Sequence, residues 1–310
     1  MARLSRDPAV LIEAATRGDR GSLARLITMC DTVGEAHDRI CAWAYATSAP
    51  WVVGLTGAPG AGKSTLTNAL VRHAVATGPE HWGVVCVDPT SPRSGGALLG
   101  DRARLDDLIL EERSFVRSLA SRGVLGGLAR AVPDTLRVLG AAGYSAVVLE
   151  TVGVGQLEVD VADEADTTVV VVTPGWGDEI QASKAGLMEV ADIFVINKAD
   201  RDGVASTRRD LADVLSERRG GEWEVPIVEC VATTGAGVVD VFEALERHRA
   251  LLVGDPTRAI RRAERDLERV LAYAVLELVR ERHADSRFVT LRDAIARGEL
   301  DPYSAARELL

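Results

Sequence analysis

The stretch "WVVGLTGAPGAGKSTLTNALVRHA", residues 51–74, decides the fold. An apolar run, Trp51 to Thr56, leads into the glycine-rich segment "GAPGAGKS", Gly57 to Ser64, and a helical pattern follows. This is the G-x-x-x-x-G-K-[ST] pattern in the strand–loop–helix context that it requires. Its glycines let backbone N–H groups curl around a β-phosphate at a helix N-terminus. The stretch therefore predicts a nucleoside-triphosphate site built from Gly57, Ala58, Pro59, Gly60, Ala61, Gly62, Lys63, Ser64 and Thr65.

Two side chains of this loop have distinct predicted roles: Lys63 bridges the β- and γ-phosphates, and the Ser64 hydroxyl ligates Mg²⁺. Further ligands are expected at the ends of other apolar runs, namely Asp88 in "VVCVDPT" and Glu150 in "VVLETVG". The carboxyl ends of parallel strands meet at one edge of a sheet, although any one such carboxylate could also be a solvated turn residue. Asp101, after "SGGALLGD", is a third candidate. We predict catalytic roles for Lys63, Asp88, Asp101 and Glu150, and metal ligation by Ser64, Asp88, Asp101 and Glu150.

A second motif selects the base. "VINKAD", residues 195–200, ends another apolar run and matches the N-K-x-D guanine signature. Asp200 can accept from N1–H and the exocyclic amine of guanine, Asn197 reaches the O6/N7 edge, and the stem of Lys198 covers the base. Adenine would leave the carboxylate unpaired, so we expect a preference for GTP of ~2–4 kcal/mol. Further contacts are expected from Val231, Ala232 and Thr233 in the loop "VATTG", whose backbone N–H groups would point toward O6. Gly153 in "ETVGVGQ" is also expected to contact the nucleotide.

Outward from the motifs, short apolar runs alternate with helical patterns. The runs are "WVVGLTG", "WGVVCVD", "SAVVLET", "TTVVVVT", "IFVINKAD" and "VPIVECVA". Continuous apolar strands alternating with helices are typical of a parallel sheet covered on both faces. We therefore predict a doubly wound, mostly parallel α/β P-loop domain over residues 48–252, preceded by amphipathic helices over residues 1–47.

The strand pattern stops after Leu252, and residues 253–310 are predicted to form a helical arm. Apolar residues follow a helical spacing along one face, at Ile260, Ala263, Leu267, Val270, Leu271, Ala274, Leu278 and Val279. Such an apolar stripe is normally buried against another surface. It could fold back on its own domain or meet a second copy, and we expect a homodimer.

Composition excludes several classes. The net charge of −10 leaves no basic surplus for nucleic acid or an anionic membrane as the main partner. No apolar run approaches the ~20 residues that span a bilayer, and the N-terminus shows no signal-peptide core. Cys30, Cys41, Cys86 and Cys230 form no CxxC pair, so we interpret them as reduced packing thiols of a cytoplasmic protein. The five histidines are scattered and show no metal-ligand spacing.

One loop is not explained by nucleotide binding. Only three of the 36 basic residues are lysines, and Lys184 lies outside both nucleotide motifs, in "PGWGDEIQASKAG", residues 174–186. Glycines allow this loop to change course, and Asp178, Gln181 and Lys184 recur at three-residue intervals. An ordinary solvated lysine is the alternative. We hypothesise that the loop is a switch that couples to a partner through Asp178, Gln181 and Lys184.

Taken together, these segments resemble the MeaB/ArgK family, which includes the methylmalonic aciduria type A proteins. The resemblance rests on the P-loop, "VDPTSPRSGGALLGDRARL", "LGGLARAV", "ETVGVGQLEVDVADEAD", "PGWGDEIQASKAGLMEVADIFVINKAD" and "GELDPYSAARELL". It implies a homodimeric GTPase of the SIMIBI branch, with Asp88, Asp101 and Glu150 near Mg²⁺ and the γ-phosphate, and a third switch at about Gly175 to Lys184.

The resemblance also implies a biological role. Members of the family act as chaperones of adenosylcobalamin-dependent acyl-CoA mutases such as methylmalonyl-CoA mutase. They use GTP to gate loading of a cofactor that belongs to the mutase and to clear damaged cofactor. GTP turnover is then expected to be slow alone and faster with the mutase.

Three alternatives remain. A nickel or zinc insertion GTPase shares the fold branch, but such proteins usually carry a CxCC motif or a His-rich tract, whereas the histidines here are dispersed. A kinase would need an acceptor site and a base for its hydroxyl, for which the sequence offers no dedicated candidate. A purely structural nucleotide-binding module is the third, and stimulation by a partner mutase would argue against it.

Overall fold

A computed structural model describes residues 5–88, 105–120, 131–151, 157–175, 187–216, 223–283 and 286–309. The chain divides into two units, Met1–Val253 and Gly254–Leu310. Five of the predicted site residues lie outside the described ranges, namely Asp101, Gly153, Asp178, Gln181 and Lys184.

The first unit alternates strands and helices. Its strands are β1 (Trp51–Thr56), β2 (Trp82–Asp88), β3 (Ser114–Ala120), β4 (Ala146–Thr151), β5 (Thr167–Val172), β6 (Ile193–Asn197) and β7 (Ile227–Cys230). Its helices are α1 (Pro8–Thr16), α2 (Arg20–Met29), α3 (Glu35–Tyr45), α4 (Lys63–Thr77), α5 (Asp106–Leu110), α6 (Ala131–Ala141), α7 (Leu157–Glu164), α8 (Leu187–Val190), α9 (Val204–Ser216) and α10 (Val238–Leu252). The doubly wound α/β prediction is confirmed, and β3 is a strand in addition to the six predicted ones.

All seven strands pair in parallel, in the order β3-β2-β4-β1-β5-β6-β7. The strands β2, β3 and β4 follow β1 in the chain and lie on one side of it in the sheet. The strands β5, β6 and β7 lie on its other side. β1 therefore lies at the point where the winding reverses, which is where α/β sheets bind ligands beyond the carboxyl ends of their strands. The register places Leu55 of β1 beside Glu150 of β4 and Thr56 beside Val170 of β5.

Both faces of the sheet are buried because successive side chains of a strand point to opposite sides. On one face, Val53 and Leu55 join an apolar cluster that includes Leu66 of α4 and Val241 of α10. On the other face, Val52 and its neighbours pack with α2, α3 and α6. Helices on both faces explain why the strands read as unbroken apolar runs.

The N-terminal helices share this second core. Asp7 and Asp19 cap α1 and α2, where their carboxylates accept hydrogen bonds from the backbone N–H groups of Ala9 and Ser22. Such caps stabilise a helix by about 1 kcal/mol each. The apolar face of these helices is buried at Leu11, Ala15, Leu23, Leu26, Ile27 and Ile40. Residues predicted as an N-terminal extension thus lie in the same compact unit as the sheet.

The second unit is helical, with α11 (Pro256–His283), α12 (Ser286–Ala296) and α13 (Pro302–Leu309). The predicted apolar stripe lies on α11 and is exposed to solvent; Leu267 and Leu278, for example, are each 60% exposed. Across the described ranges, none of the helices combines the length and apolar character that crossing a bilayer requires.

Candidate functional site

The phosphate loop joins β1 to α4. At two of its glycines, a side chain would clash with a neighbouring strand. Gly57 has a φ of 134°, and a Cβ there would lie 2.1 Å from the carbonyl oxygen of Val171 in β5. Gly62 has a φ of 93°, and a Cβ there would lie 2.3 Å from Nδ2 of Asn197. A side chain at either position would force the loop away from the neighbouring strand. The loop therefore passes tightly over β5 and β6 before α4 begins at Lys63.

The amine of Lys63 lies inside this loop. Its Nζ donates to the carbonyl oxygens of Gly57, at 2.6 Å, and of Ala58, at 3.1 Å. Lys63 is buried, and a buried ammonium needs oxygen partners of this kind. A phosphate oxygen could replace a loop carbonyl as its acceptor. The Lys63 ammonium is therefore placed where it can bind a phosphate.

A buried carboxylate contacts the first turn of α4. Glu150 accepts from the Ser64 hydroxyl at Oε1, over 2.6 Å, and from the Thr67 hydroxyl at Oε2, over 2.8 Å. All three side chains are buried, with Thr67 fully so. Because Ser64 and Thr67 are three residues apart, they lie on one face of the helix and both face β4. The carboxylate is thereby fixed beside the phosphate loop.

This arrangement fits Mg²⁺. The Ser64 hydroxyl and the Glu150 carboxylate are hard oxygen donors, the type that Mg²⁺ prefers. Neighbouring ligands of an octahedral Mg²⁺ lie about 2.9 Å apart, from bond lengths of about 2.0–2.1 Å, and Ser64 Oγ and Glu150 Oε1 are separated by a similar 2.6 Å. Asp88, at the end of β2, lies on the strand next to β4 at the same sheet edge.

The base-recognition motif is tied to the phosphate loop. Asn197, at the end of β6, donates from Nδ2 to the Ala61 carbonyl over 2.8 Å and accepts at Oδ1 from the Ala232 N–H over 3.1 Å. The amine of Lys198 donates to the Gly60 carbonyl over 2.6 Å. Two side chains of the motif thus contact the loop that would hold the phosphates, and one of them also fixes the loop after β7.

Lys198 has a backbone conformation that few side chains adopt. Its φ of 59° lies in the left-handed region, where residues other than glycine are uncommon. Residues held in such conformations cluster at binding sites, where the surrounding structure enforces them. Here the turn places the lysine stem along the wall of a small cavity lined by Gly62, Thr65, Asn197, Lys198, Val231, Ala232 and Thr233.

The loop after β7 presents one backbone donor to this cavity. Val231 N–H bonds to Ala236, Thr234 and Gly235 both donate to the Val231 carbonyl, and Ala232 N–H bonds to Asn197. Within the described part of the chain, no partner is seen for the N–H of the remaining residue, Thr233. This amide is therefore the donor of the loop that a ligand can use.

The structure thus brings together most of the predicted residues that it describes. The phosphate loop, Lys63, Ser64 and Glu150 form one cluster, and Thr65, Asn197, Lys198 and the loop after β7 form an adjoining cavity. Asp200 lies on the exposed turn after β6 and is not part of the cavity wall. Thr67 was not predicted, although its place three residues after Ser64 on a helix was a signal that could have found it.

The chain is similar to a known family of proteins. The chain matches the family described as methylmalonyl-CoA mutase-associated GTPase MeaB over residues 23–287. It is 41% identical over 308 residues to a putative GTPase of Pyrococcus abyssi, covering 97% of this chain and 95% of that protein. It is 36% identical over 210 residues to the methylmalonic aciduria type A homolog, mitochondrial, of Mus musculus, covering 66% of this chain and 50% of that protein.

A solved structure extends the agreement to the fold. The crystal structure of an LAO/AO transport system kinase matches with a TM-score of 0.72 and 27% identity, covering 99% of this chain and 98% of that one. The resemblance inferred from the motifs is confirmed. The chain belongs to the MeaB family of methylmalonyl-CoA mutase-associated GTPases.

Proposed function

We propose that this GTPase binds GTP with Mg²⁺ at the cluster of Lys63, Ser64 and Glu150, and that hydrolysis controls cofactor loading of a partner mutase. The observation that carries the nucleotide part is the bonding of Asn197 and Lys198 to the phosphate loop, because it joins a guanine motif and a phosphate site into one unit. The mutase part is supported by the description of the family.

At the phosphate end, Ser64, Asp88, Asp101 and Glu150 would hold Mg²⁺, which neutralises charge that develops on the phosphate oxygens. On metal binding, Ser64 would give up its hydrogen bond to Glu150, and Lys63 would exchange a loop carbonyl for a phosphate oxygen. Thr67 keeps its bond to Glu150 throughout, because its hydroxyl lies one helical turn farther from the loop. Glu150 therefore stays oriented while Ser64 changes partner.

At the base end, three donors and acceptors match guanine. Thr233 N–H would donate to O6. Asn197 Nδ2 bonds to Ala61 through one hydrogen and would donate the other to N7. Asp200 accepts from N1–H and the exocyclic amine. Adenine carries an amine in place of O6, so the Thr233 amide and the Asp200 carboxylate would both lose their partners.

The partner is proposed to be an adenosylcobalamin-dependent acyl-CoA mutase, with the cobalamin held by the mutase. The loop with Asp178, Gln181 and Lys184 is the proposed coupling element. The exposed apolar stripe of α11 is proposed to pair with a second copy of the chain, because its six large side chains are each at least 40% exposed. Membership of the MeaB family favours this function over metal insertion or phosphorylation of a small molecule.

One experiment tests both parts. The purified chain is coupled to a resin and incubated with native lysate in GDP, in a non-hydrolysable GTP analogue, or without nucleotide. We expect a cobalamin-dependent mutase in the eluate, in an amount that depends on the nucleotide. Separate calorimetry with GTP and ATP isolates the nucleotide part. Equal affinity for the two nucleotides would contradict the guanine assignment, and a nucleotide-dependent eluate without a mutase would contradict the partner.

A further inference from the structure

A second polar cluster lies between α3 and α6, on the sheet face opposite to α4. His37 and Cys41 are one helical turn apart on α3, and Asp134 reaches them from α6. His37 Nε2 is 2.9 Å from Asp134 Oδ2 and 3.4 Å from Cys41 Sγ. A nitrogen, a sulfur and an oxygen that can each ligate a metal thus converge, all within 4.8 Å of one another.

These separations are close to those of a zinc site. Bonds of about 2.0–2.3 Å in a tetrahedral site place neighbouring ligand atoms roughly 3.3–3.6 Å apart. The Nε2–Sγ distance lies in this range, and the Nε2–Oδ2 distance needs to lengthen by only about 0.4 Å. Imidazole, thiolate and carboxylate are the three ligand types of protein zinc sites. Three protein ligands leave the fourth position of the tetrahedron to water.

Outer groups lie next to two of the three ligands. The Tyr45 hydroxyl donates to Asp134 Oδ1 over 3.2 Å, which directs Oδ2 toward His37. On the far side of the imidazole, Nδ1 lies 3.6 Å from the Asp38 carboxylate. A carboxylate behind a histidine orients the ring and raises its basicity in metal sites. The His37 and Asp134 side chains are 14% and 16% exposed, so the cluster is sheltered but within reach of an ion from solvent.

Two other roles for the cluster are distinguishable by geometry. In a Cys–His–carboxylate catalytic relay, thiol and carboxylate use opposite ring nitrogens. Here Asp134 and Cys41 both lie nearest to Nε2, with Cys41 Sγ farther from Nδ1, at 3.9 Å, which argues against the relay. The second role is a simple ion pair, since the hydrogen bond to Asp134 raises the pKa of His37 to about 10. An ion pair accounts for His37 and Asp134 but gives no role to the thiol beside them.

We propose that His37, Cys41 and Asp134 bind one Zn²⁺ ion, or a divalent ion of similar softness, which links α3 to α6. The site is separate from the proposed Mg²⁺ site, because α3 and α6 lie on the sheet face opposite to α4. Its nitrogen and sulfur ligands also favour a softer ion than Mg²⁺. Zinc displaces the protons of the imidazole and the thiol, which pass to solvent, so binding is measured at mildly alkaline pH.

The test uses the full chain, stripped of metal and then titrated with Zn²⁺ against a chromophoric chelator, and separately with Co²⁺. We expect one equivalent of Zn²⁺ and a sulfur-to-cobalt charge-transfer band, both unaffected by saturating GDP with Mg²⁺. Zinc at about 100 times its Kd should raise the Tm by roughly 5 °C. Cys41→Ala should abolish the band, and Asp134→Asn should weaken Zn²⁺ binding by more than about tenfold.

Cys86→Ala is the matched control, because it removes a buried thiol from β2 and should leave the band unchanged. GDP binding by each variant shows that it has folded. Asp134→Asn retains the hydrogen bond from Tyr45 and so serves if Cys41→Ala does not fold. Wild-type protein that shows no band, or a band that persists in Cys41→Ala, would overturn the assignment and leave an ion pair between the two helices.

Discussion

Thr67→Val offers a sharp test of how the site is held before nucleotide binds. Valine has nearly the same shape but lacks the hydroxyl that donates to Glu150 Oε2 over 2.8 Å. Both side chains are buried, so water cannot readily replace the lost donor. A hydrogen bond to a charged group contributes about 1.5–3 kcal/mol. We therefore expect the free energy of unfolding to fall by about 2 kcal/mol, roughly 30-fold in the folding equilibrium constant.

Thr67→Ser is the matched control, because it keeps the hydroxyl and removes only the methyl group. Loss of one buried methyl costs about 0.8 kcal/mol. The expected order of stability is thus wild type, then serine, then valine. Urea unfolding of the nucleotide-free protein, followed by circular dichroism, measures this order through the midpoints. A valine variant as stable as the serine variant would refute the reasoning, because the hydroxyl would then contribute nothing to holding Glu150.

The same two variants test whether Thr67 also orients Glu150 for Mg²⁺ binding, in addition to stabilising the fold. The Thr67 hydroxyl donates to Glu150 and lies beyond Ser64 on α4, so GDP binding without Mg²⁺ should be equal in both variants. Thr67→Val should weaken the Mg²⁺-dependent part of GTP binding, because Glu150 loses the partner that keeps it oriented when Ser64 turns to the metal. A metal titration at fixed GTP measures this part. Equal Mg²⁺ dependence in the two variants would show that Thr67 acts on stability alone.

Three further predictions address the base, the second unit and the coupling loop. Asp200→Asn should shift preference from GTP to xanthosine triphosphate, measured by calorimetry, since xanthine carries an acceptor where guanine has its amine; retained GTP preference would place the pocket elsewhere. Leu267→Glu with Leu278→Glu should give a monomer in light scattering that still binds GDP, and a persistent dimer would place the interface off the stripe. Lys184→Ala should leave intrinsic turnover unchanged and reduce mutase-stimulated turnover, and full stimulation would make Lys184 an ordinary surface residue.

Much of the fold could be predicted because its signals are local. Buried parallel strands appear as unbroken apolar runs, and six of the seven strands were found in this way. β3 lies at one edge of the sheet, and the polar residues Arg117 and Ser118, both only partly buried, interrupt its apolar run. An edge strand needs fewer apolar residues than a central one. Its sequence therefore carries a weaker signal, even though the sheet order depends on it.

The details of the site were harder to predict because they depend on register. Nothing in the sequence near Asn197 indicates that its amide contacts both Ala61 and Ala232, since those contacts require β6 to lie beside the phosphate loop and β7. The motif predicted a residue that reads the base. The structure adds a residue that couples the base loop to the phosphate loop. In the proposed function, guanine recognition and phosphate binding therefore share one side chain.

The cluster of His37, Cys41 and Asp134 is a second case in which contacts between distant parts of the chain could not be predicted from sequence. Paired cysteines and grouped histidines are the usual sequence signs of a metal site, and this chain has only one histidine four residues before one cysteine here. Helical periodicity places those two on one face, which is local and could have been noticed. Asp134 is 97 residues from His37, and only the packing of α6 on α3 brings it within 2.9 Å. A ligand set divided between two helices can be recognised from sequence only once the pairing of those helices is known.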